Sequence, residues 1–281
     1  MIKYISAIND PVLTDALEEK MAKFYKKNES YYDDIDFNRS AWFDKSNLLY
    51  QDILENSLGK LICEIGCGRA GILDTKQIDP NNYSGCDFSS SLIELNKTKY
   101  PTANFKTITD PKKFPFEDEK FDIVFSVFVL EHVVRPHLFL NELIRVVKPG
   151  GKIIILCPDY FGRLSISSQK LGKLPGTGTQ KLNNGNYIDA FRTVIYGRVL
   201  LPMFFYWKLR NAGRKSVFLL NNDPSCFSFP FSPDVDAVYV THKEEISNEL
   251  NNLGAKPLEI KSDLKDFAKL KRWIYLVHEV N

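Results

Sequence analysis

The chain has 281 residues, 44% of them hydrophobic and 26% charged, which is typical of a globular protein with one large domain or two small ones. Its 37 basic and 35 acidic residues give a net charge of +2, which excludes a strongly basic nucleic-acid binder and an acidic disordered chain. No run of about 18 apolar residues and no signal peptide is visible, so we expect neither a transmembrane helix nor secretion.

Alternating strands and helices are predicted from Lys60 onward, after 58 polar and aromatic residues that predict N-terminal helices. Short apolar runs predict buried strands at 61–65, 83–87, 103–108, 121–127 and 152–157. Ser89 is expected to cap one helix, and a second, over 138–147, is expected to end at the KPGG turn, 148–151. This alternation predicts parallel βαβ units in a doubly wound sheet of the α/β class.

The alternation stops at Pro158, and residues 158–241 are expected to form an inserted lid that contains Gly-rich and Pro-rich loops. A helix is predicted over 241–253 with Thr241 as its N-cap, followed by strands at 257–260 and 273–280. The predicted parts are therefore an N-terminal cap (1–58), a cofactor-binding core (59–157), a lid that binds the acceptor (158–241) and the C-terminal part of the core sheet (242–281).

A glycine-rich loop with Gly66, Gly68 and Gly71 follows the first of these strands, and Asp87 ends the next strand about 20 residues on. Glycines let the backbone approach a ligand closely, and an acid at this position can accept both hydroxyls of a ribose. On this spacing alone, a nicotinamide cofactor and a tight turn without any ligand remain open alternatives.

Four segments in order, LICEIGCGRAG, CDFSSSLIELNK, TDPKKFPFEDEKFDIVFSVFVLEHV and LNELIRVVKPGGKIIIL, resemble the class I S-adenosylmethionine-dependent methyltransferases. The resemblance spans residues 61–157. It implies a Rossmann-like sheet of seven strands, mostly parallel with an antiparallel last strand. It also implies S-adenosyl-L-methionine as the cofactor and S-adenosyl-L-homocysteine as the product.

The resemblance also assigns a role to individual residues around the cofactor. Glu64 would help to hold its amino group, Asp87 its ribose hydroxyls, and Asp110 its adenine amino group. The full set of predicted cofactor residues is Glu64, Gly66, Cys67, Gly68, Asp87, Phe88, Asp110, Ser126 and Val127. The stretch after Gly71 is shorter than the helix often found in the family, and an inserted Pro-Lys-Lys makes Asp110 a weaker match than Asp87.

Three residues are candidates for catalysis because they follow predicted strands, at the edge where such sheets bind ligands. His132 is a candidate general base for a hydroxyl acceptor, with packing or capping of the loop as its alternative. Asp159 and Tyr160 have catalytic and structural interpretations of equal weight. For Arg39 and Trp42 we favour packing of an N-terminal helix over contact with the cofactor. No CxxC pair occurs, which predicts free cysteines in a reducing cytoplasm and no metal site.

The acceptor is expected to be a small molecule methylated on oxygen or nitrogen, with no nucleic acid involved. Residues 234–239 resemble a segment of methyltransferases from bacterial surface-sugar pathways, which favours a sugar or glycan precursor, nucleotide- or lipid-linked, and makes Asp234, Asp236 and Tyr239 acceptor-side candidates. The apolar and basic stretch 196–220 predicts a helical lid or, alternatively, a peripheral contact with lipid. The competing functions are an NAD(P)-dependent oxidoreductase and an inactive, methyltransferase-like binding protein.

Overall fold

The computed structural model describes residues 4–27, 46–160, 178–212, 216–227 and 236–281. Its contacts divide the chain into two compact units. We call them the insertion unit (Met1–Asn28, Glu131–Pro136 and Asp159–Glu245) and the sheet unit (Glu29–Leu130, His137–Pro158 and Ile246–Asn281). This division groups the N-terminal residues with 159–245, whereas the sequence predicted a separate cap and lid.

The secondary structure is numbered in chain order within these described residues. The strands are β1 Tyr4–Ser6, β2 Ile62–Ile65, β3 Tyr83–Asp87, β4 Asn104–Thr107, β5 Phe121–Val127, β6 Val147–Pro158, β7 Leu219–Asn221, β8 Ala255–Pro257 and β9 Trp273–Val280. The α-helices are α1 Pro11–Lys27, α2 Leu48–Ser57, α3 Ser90–Lys99, α4 Pro136–Val146, α5 Gly178–Asn183, α6 Tyr187–Ile195, α7 Leu201–Ala212, α8 Lys243–Asn252 and α9 Ser262–Lys271. A π-helical segment, Tyr196–Leu200, joins α6 to α7.

The sheet unit is built on a seven-stranded sheet in the order β4-β3-β2-β5-β6-β9-β8. The five strands from β4 to β6 are parallel, and β9 runs antiparallel to both β6 and β8. This confirms the predicted doubly wound sheet and its antiparallel last strand. The chain goes from β2 to β3 on one side and later to β5 on the other, so the strand order switches between β2 and β5, where such sheets bind ligands.

One face of the sheet packs against α2 and α9. Ile62, Ile123, Phe125, Ile154 and Val277 lie in a single buried cluster, together with Leu49 and Ile53 of α2 and Leu264 and Ala268 of α9. Since strands covered by helices are buried on both sides, their sequences are continuous apolar runs, which is why β5 and β9 were predicted with the bounds observed.

The structure corrects two predicted elements of the sheet unit, the KPGG turn and the strand predicted at 257–260, which is instead β8 at Ala255–Pro257. The KPGG segment, 148–151, is a bulge inside β6, where Phe121 and Ile123 of β5 pair with Val147 and Lys152, and Gly150 has a φ of +76°. After the glycine loop the chain forms a short 3₁₀ turn, Gly71–Thr75, which Ala70 enters with a φ of +53°.

The insertion unit contains an antiparallel pair, β1 with β7, and its own apolar cluster. Buried members of the cluster come from distant parts of the chain: Tyr160, Leu201, Phe205, Leu219, Ala237 and Val240. The helix expected from Thr241 begins at Lys243, and the Thr241 hydroxyl accepts a hydrogen bond of 3.4 Å from the Tyr160 N–H.

Candidate functional site

The glycine loop after β2 is fastened to the neighbouring strand β3. The N–H groups of Gly66 and Cys67 both donate to the Cys86 carbonyl oxygen, at 2.8 and 3.0 Å. Gly66 has a φ of +74°, and a Cβ atom at this position would lie 2.3 Å from Cγ2 of Val129. Only glycine therefore fits at the first turn of the loop.

Asp87, the last residue of β3, holds the other end of the loop. Its buried carboxylate accepts hydrogen bonds from the N–H of Gly68 at 3.0 Å and from the N–H of Ser89 at 2.9 Å. The fully buried Asn96 of α3 donates to the Gly68 carbonyl oxygen at 2.6 Å. These hydrogen bonds fix the Asp87 carboxylate at the end of β3, beside the glycine loop.

Glu64 is a buried acid in β2, two residues before the loop. The Tyr83 hydroxyl of β3 donates to Glu64 Oε2 at 2.7 Å. Burial, together with the charge of Glu64, raises the pKa of Tyr83 well above its ordinary value, so Tyr83 stays protonated and acts as a donor. Tyr83 thus fixes the orientation of a carboxylate that sequence analysis assigned to the cofactor.

The remaining predicted cofactor residues have unequal surroundings. Ser126 pairs in register with Ile65, and its buried Oγ has no hydrogen-bond partner among the described residues. The Phe88 ring is 43% exposed beside Asp87. Asp110 is exposed and accepts a hydrogen bond from the Lys112 N–H at 2.9 Å, so it closes a turn. Burial raises the pKa of the Cys67 thiol, which disfavours the reactive thiolate.

A second group of polar residues lies within the insertion unit, around His132. Its Nδ1 lies 3.2 Å from Oδ2 of Asp236, and its Nε2 lies 3.8 Å from Oε1 of Glu131. Both carboxylates are buried, while the His132 side chain is 22% exposed. The Tyr25 hydroxyl of α1 donates to the same Asp236 oxygen at 2.9 Å. The imidazole therefore has a carboxylate on each side.

Comparison with known protein families shows that residues 63–155 match the model of a methyltransferase domain. The chain contains a class I S-adenosylmethionine-dependent methyltransferase domain. The methyltransferase domain thus includes the glycine loop, Asp87 and Ser126, and the cofactor of this family is S-adenosyl-L-methionine.

Two curated relatives and one solved structure illustrate the similarity. Demethylmenaquinone methyltransferase of Bacillus cytotoxicus is 31% identical over 50% of this chain and 62% of its own length. Phthiotriol/phenolphthiotriol dimycocerosates methyltransferase of Mycobacterium tuberculosis is 31% identical over 37% of this chain and 40% of its own. The chain thus spans about half the length of these relatives. A TehB-like S-adenosylmethionine-dependent methyltransferase from Corynebacterium glutamicum shares the fold, with a TM-score of 0.50, 14% identity and coverage of 91% of this chain and 100% of its own.

The other predicted catalytic residues lie near or within the core of the insertion unit. Tyr160 is 5% exposed and belongs to the apolar cluster, which favours a packing role, and Asp159 is half-buried. The Tyr239 hydroxyl donates to Glu245 at 2.8 Å. Asp234, Arg39 and Trp42 lie outside the described residues.

Sequence analysis missed Asn96 and Tyr25. The sequence could have indicated that Asn96 is buried, because this polar residue lies at helical spacing from the apolar Leu92 and Ile93 in the methyltransferase domain. Tyr25 had no such signal, since it lies 211 residues from the aspartate that it contacts.

Proposed function

We propose that the protein transfers the methyl group of S-adenosylmethionine to an oxygen or nitrogen atom of a small molecule. The observation that carries this proposal is the buried Asp87 carboxylate at the end of β3, hydrogen-bonded to the Gly68 N–H at 3.0 Å. An acid so placed, beside a glycine turn at the switch in strand order, suits the ribose hydroxyls of a nucleoside cofactor.

Other residues of the sheet unit suit the same cofactor. The exposed Phe88 ring next to Asp87 offers an apolar surface for adenine. The Ser126 Oγ, which has no hydrogen-bond partner within the described part of the chain, offers a polar atom beside the loop. Glu64, oriented by Tyr83, offers a negative charge for the amino group. Bound S-adenosylmethionine supplies a methyl group that its sulfonium centre already activates, so the protein needs mainly to orient the acceptor and exclude water.

The test of donor binding is calorimetric titration with S-adenosylmethionine, S-adenosylhomocysteine and NADH. We expect micromolar binding of the first two and none of NADH. Asp87→Asn should weaken binding of both at least tenfold, because it replaces the charged acceptor of the ribose hydroxyls. The matched control is Glu94→Gln, which neutralises an exposed acid on α3 and should bind like the parent. Unchanged affinity in a folded Asp87→Asn variant contradicts the ribose assignment, and tight NADH binding favours an oxidoreductase.

For a hydroxyl acceptor we propose His132 as the general base. In this proposal Nδ1, which lies 3.2 Å from Asp236 Oδ2, keeps the ring oriented, and Nε2 takes the proton that the acceptor oxygen loses as it is methylated. Asp236, held by the Tyr25 hydroxyl, and Glu131 stabilise the imidazolium that results. In the chain, His132 follows the end of β5 by five residues, a position where α/β enzymes carry functional side chains.

The base is tested by kinetics on acceptors found by radiolabelled methyl transfer. His132→Gln should lower kcat by about 10²–10⁴-fold, the usual contribution of a general base, without changing the affinity for S-adenosylmethionine. Tyr25→Phe and Asp236→Asn should lower kcat less and should shift its pH profile, because they act through the imidazole. His137→Gln, which removes a half-buried imidazole of α4, is the control. A His132→Gln variant with the parent's kcat contradicts the assignment.

The acceptor panel follows from two independent indications. Residues 234–239 point to nucleotide- or lipid-linked sugars, and the two curated relatives are named for demethylmenaquinone and for phthiotriol/phenolphthiotriol dimycocerosates. Sugar, quinol and phenolic lipid acceptors should therefore be assayed side by side. A product methylated only on carbon would contradict the oxygen or nitrogen proposal.

A further inference from the structure

The helical segment α6–π–α7 of the insertion unit exposes an unusual amount of apolar surface. Phe191 is 68% exposed, Met203 64% and Trp207 58%. Nine large apolar residues are exposed between positions 187 and 207: Tyr187, Ile188, Phe191, Val194, Val199, Leu200, Met203, Tyr206 and Trp207. We call this set the aromatic face. Its extent exceeds the scattered apolar residues that a soluble surface normally carries.

The opposite side of the same segment is packed against the insertion unit. Ala190, Thr193, Gly197, Leu201 and Phe205 are buried at the spacing of a single helical face. The segment is therefore held in place by one side, while the aromatic face stays outside that packing.

The π-helical segment aligns the two halves of the aromatic face. In a continuous α-helix, Phe191 and Met203 would point about 120° apart, since successive residues turn by about 100°. A π turn contains about one residue more than an α turn, which rotates α7 back by about 100° relative to α6. Phe191 and Met203 thus fall on one stripe, continued by Trp207.

The helices that carry this stripe are rich in positive charge. Residues 178–208 contain four basic residues, Lys181, Arg192, Arg198 and Lys208, but a single acid, Asp189, although the whole chain is nearly balanced. Lys208 Nζ lies 5.8 Å from the centre of the Trp207 ring, so positive charge borders the aromatic face directly. A helix with aromatic and aliphatic residues on one side and Lys or Arg beside them is typical of binding in the plane of a membrane interface.

We propose that the aromatic face binds the surface of an anionic lipid bilayer. A bilayer of anionic lipid complements both properties of the segment, because its headgroups attract the basic residues and its acyl boundary takes the apolar side chains. A second copy of the chain is disfavoured, since a two-fold interface would bring the same basic residues of both copies together. None of the helices in the described part of the chain is long and apolar enough to cross a membrane.

The experiment is flotation of the full chain with vesicles of phosphatidylcholine alone and of phosphatidylcholine with 30% phosphatidylglycerol. We expect at least tenfold more binding to the anionic vesicles, decreasing at high salt. The triple variant Phe191→Ser, Met203→Ser and Trp207→Ser should lose at least tenfold, and Arg198→Gln with Lys208→Gln should lose the preference for anionic lipid. The matched control, Val12→Ser with Leu270→Ser, changes apolar residues that are 77% and 79% exposed elsewhere and should bind like the parent.

Several outcomes would overturn the proposal. The first is that the parent binds neither vesicle. The second is that the triple variant and its control lose binding equally. The third is that the parent is a dimer which binds no vesicle and which the triple variant converts to a monomer. Calorimetric titration of the parent and the triple variant with S-adenosylhomocysteine needs no lipid. If both bind it equally, both are folded, and a loss of vesicle binding concerns the aromatic face alone. If the parent does not bind it, the proposed function fails, whatever the vesicles show.

Discussion

Gly66 allows a single-residue test of the glycine loop. Gly66→Ala should destabilise the protein for two reasons: left-handed backbone costs alanine about 1–2 kcal/mol, and the clash with Val129 adds about 1–3 kcal/mol. Gly150→Ala is a matched control, because its φ of +76° is equivalent to the +74° of Gly66 but a Cβ there meets no atom within 4 Å. Urea unfolding should show the larger loss for Gly66→Ala.

The clash can be separated from the backbone term by a second substitution. In a Val129→Ala background, the cost of Gly66→Ala should fall towards that of Gly150→Ala, since two of the three nearest atoms are the Val129 methyl groups. Equal costs for Gly66→Ala and Gly150→Ala in the parent would show that the loop relaxes around the added methyl group.

Sequence analysis performed unevenly for single residues. Glycine in a turn and an acid at a strand end are local features with local causes, so Gly66 and Asp87 could be predicted from spacing. The contacts of His132 with Asp236 and of Asp236 with Tyr25 join residues separated by 104 and 211 positions in the chain. Such contacts depend on how the insertion unit folds, and no local pattern encodes them.

Among the helices, α8 carries a buried acid that fixes neighbouring parts of the insertion unit. Glu245 accepts hydrogen bonds from the N–H groups of Val217 and Phe218, at 2.7 and 2.9 Å, and from the Tyr239 hydroxyl at 2.8 Å. Glu245→Gln should lower the free energy of unfolding by about 1.5–3 kcal/mol, the range for hydrogen bonds to a charged group.

The control for this prediction is the neighbouring residue. Glu244→Gln removes the same charge from the same first turn of α8, but Glu244 is exposed, so its effect on the urea midpoint should be small. Similar midpoints for the two variants would mean that the three hydrogen bonds of Glu245 add little to stability.

Elements of the sheet were predicted better than the segments between them. Strands that are buried along most of their length are short runs of mainly apolar or small residues, so β3, β5 and β9 matched their predicted bounds. The helix α8 begins at Lys243, two residues after the predicted start at Thr241, and Thr241 also contacts the distant Tyr160, which no local pattern indicates. The KPGG turn was wrong because glycine allows a bulge within a strand as readily as a turn before one.

For the whole molecule, sequence reasoning identified the sheet and its cofactor class but not the organisation of the insertion unit. The sheet follows from regular alternation along residues 60–157, which is a local pattern repeated several times. The insertion unit instead assembles Met1–Asn28, Glu131–Pro136 and Asp159–Glu245, and no periodicity connects three separate stretches.

Stability of the whole molecule should depend on pH through one buried histidine. His278 of β9 is fully buried, its Nε2 lies 3.1 Å from the Ser247 Oγ, and burial lowers its pKa from 6.5 to about 4. The unfolded chain therefore binds a proton between pH 6.5 and 4 that the folded chain does not, so stability is fully present above pH 6.5 and decreases as the pH falls towards 4. The slope from this residue reaches at most about 1.4 kcal/mol per pH unit.

Urea unfolding at several pH values between 7 and 4.5 measures this dependence. His278→Gln removes the titrating group and should flatten the pH dependence of the free energy of unfolding. The variant should also be less stable than the parent at pH 7, because glutamine packs imperfectly in the place of the buried imidazole. His242→Gln, which removes an imidazole from the insertion unit, should leave the slope as in the parent. If His278→Gln retains the parent's slope, the acid sensitivity comes from carboxylates instead, and His278 is protonated in the folded chain as readily as in the unfolded one.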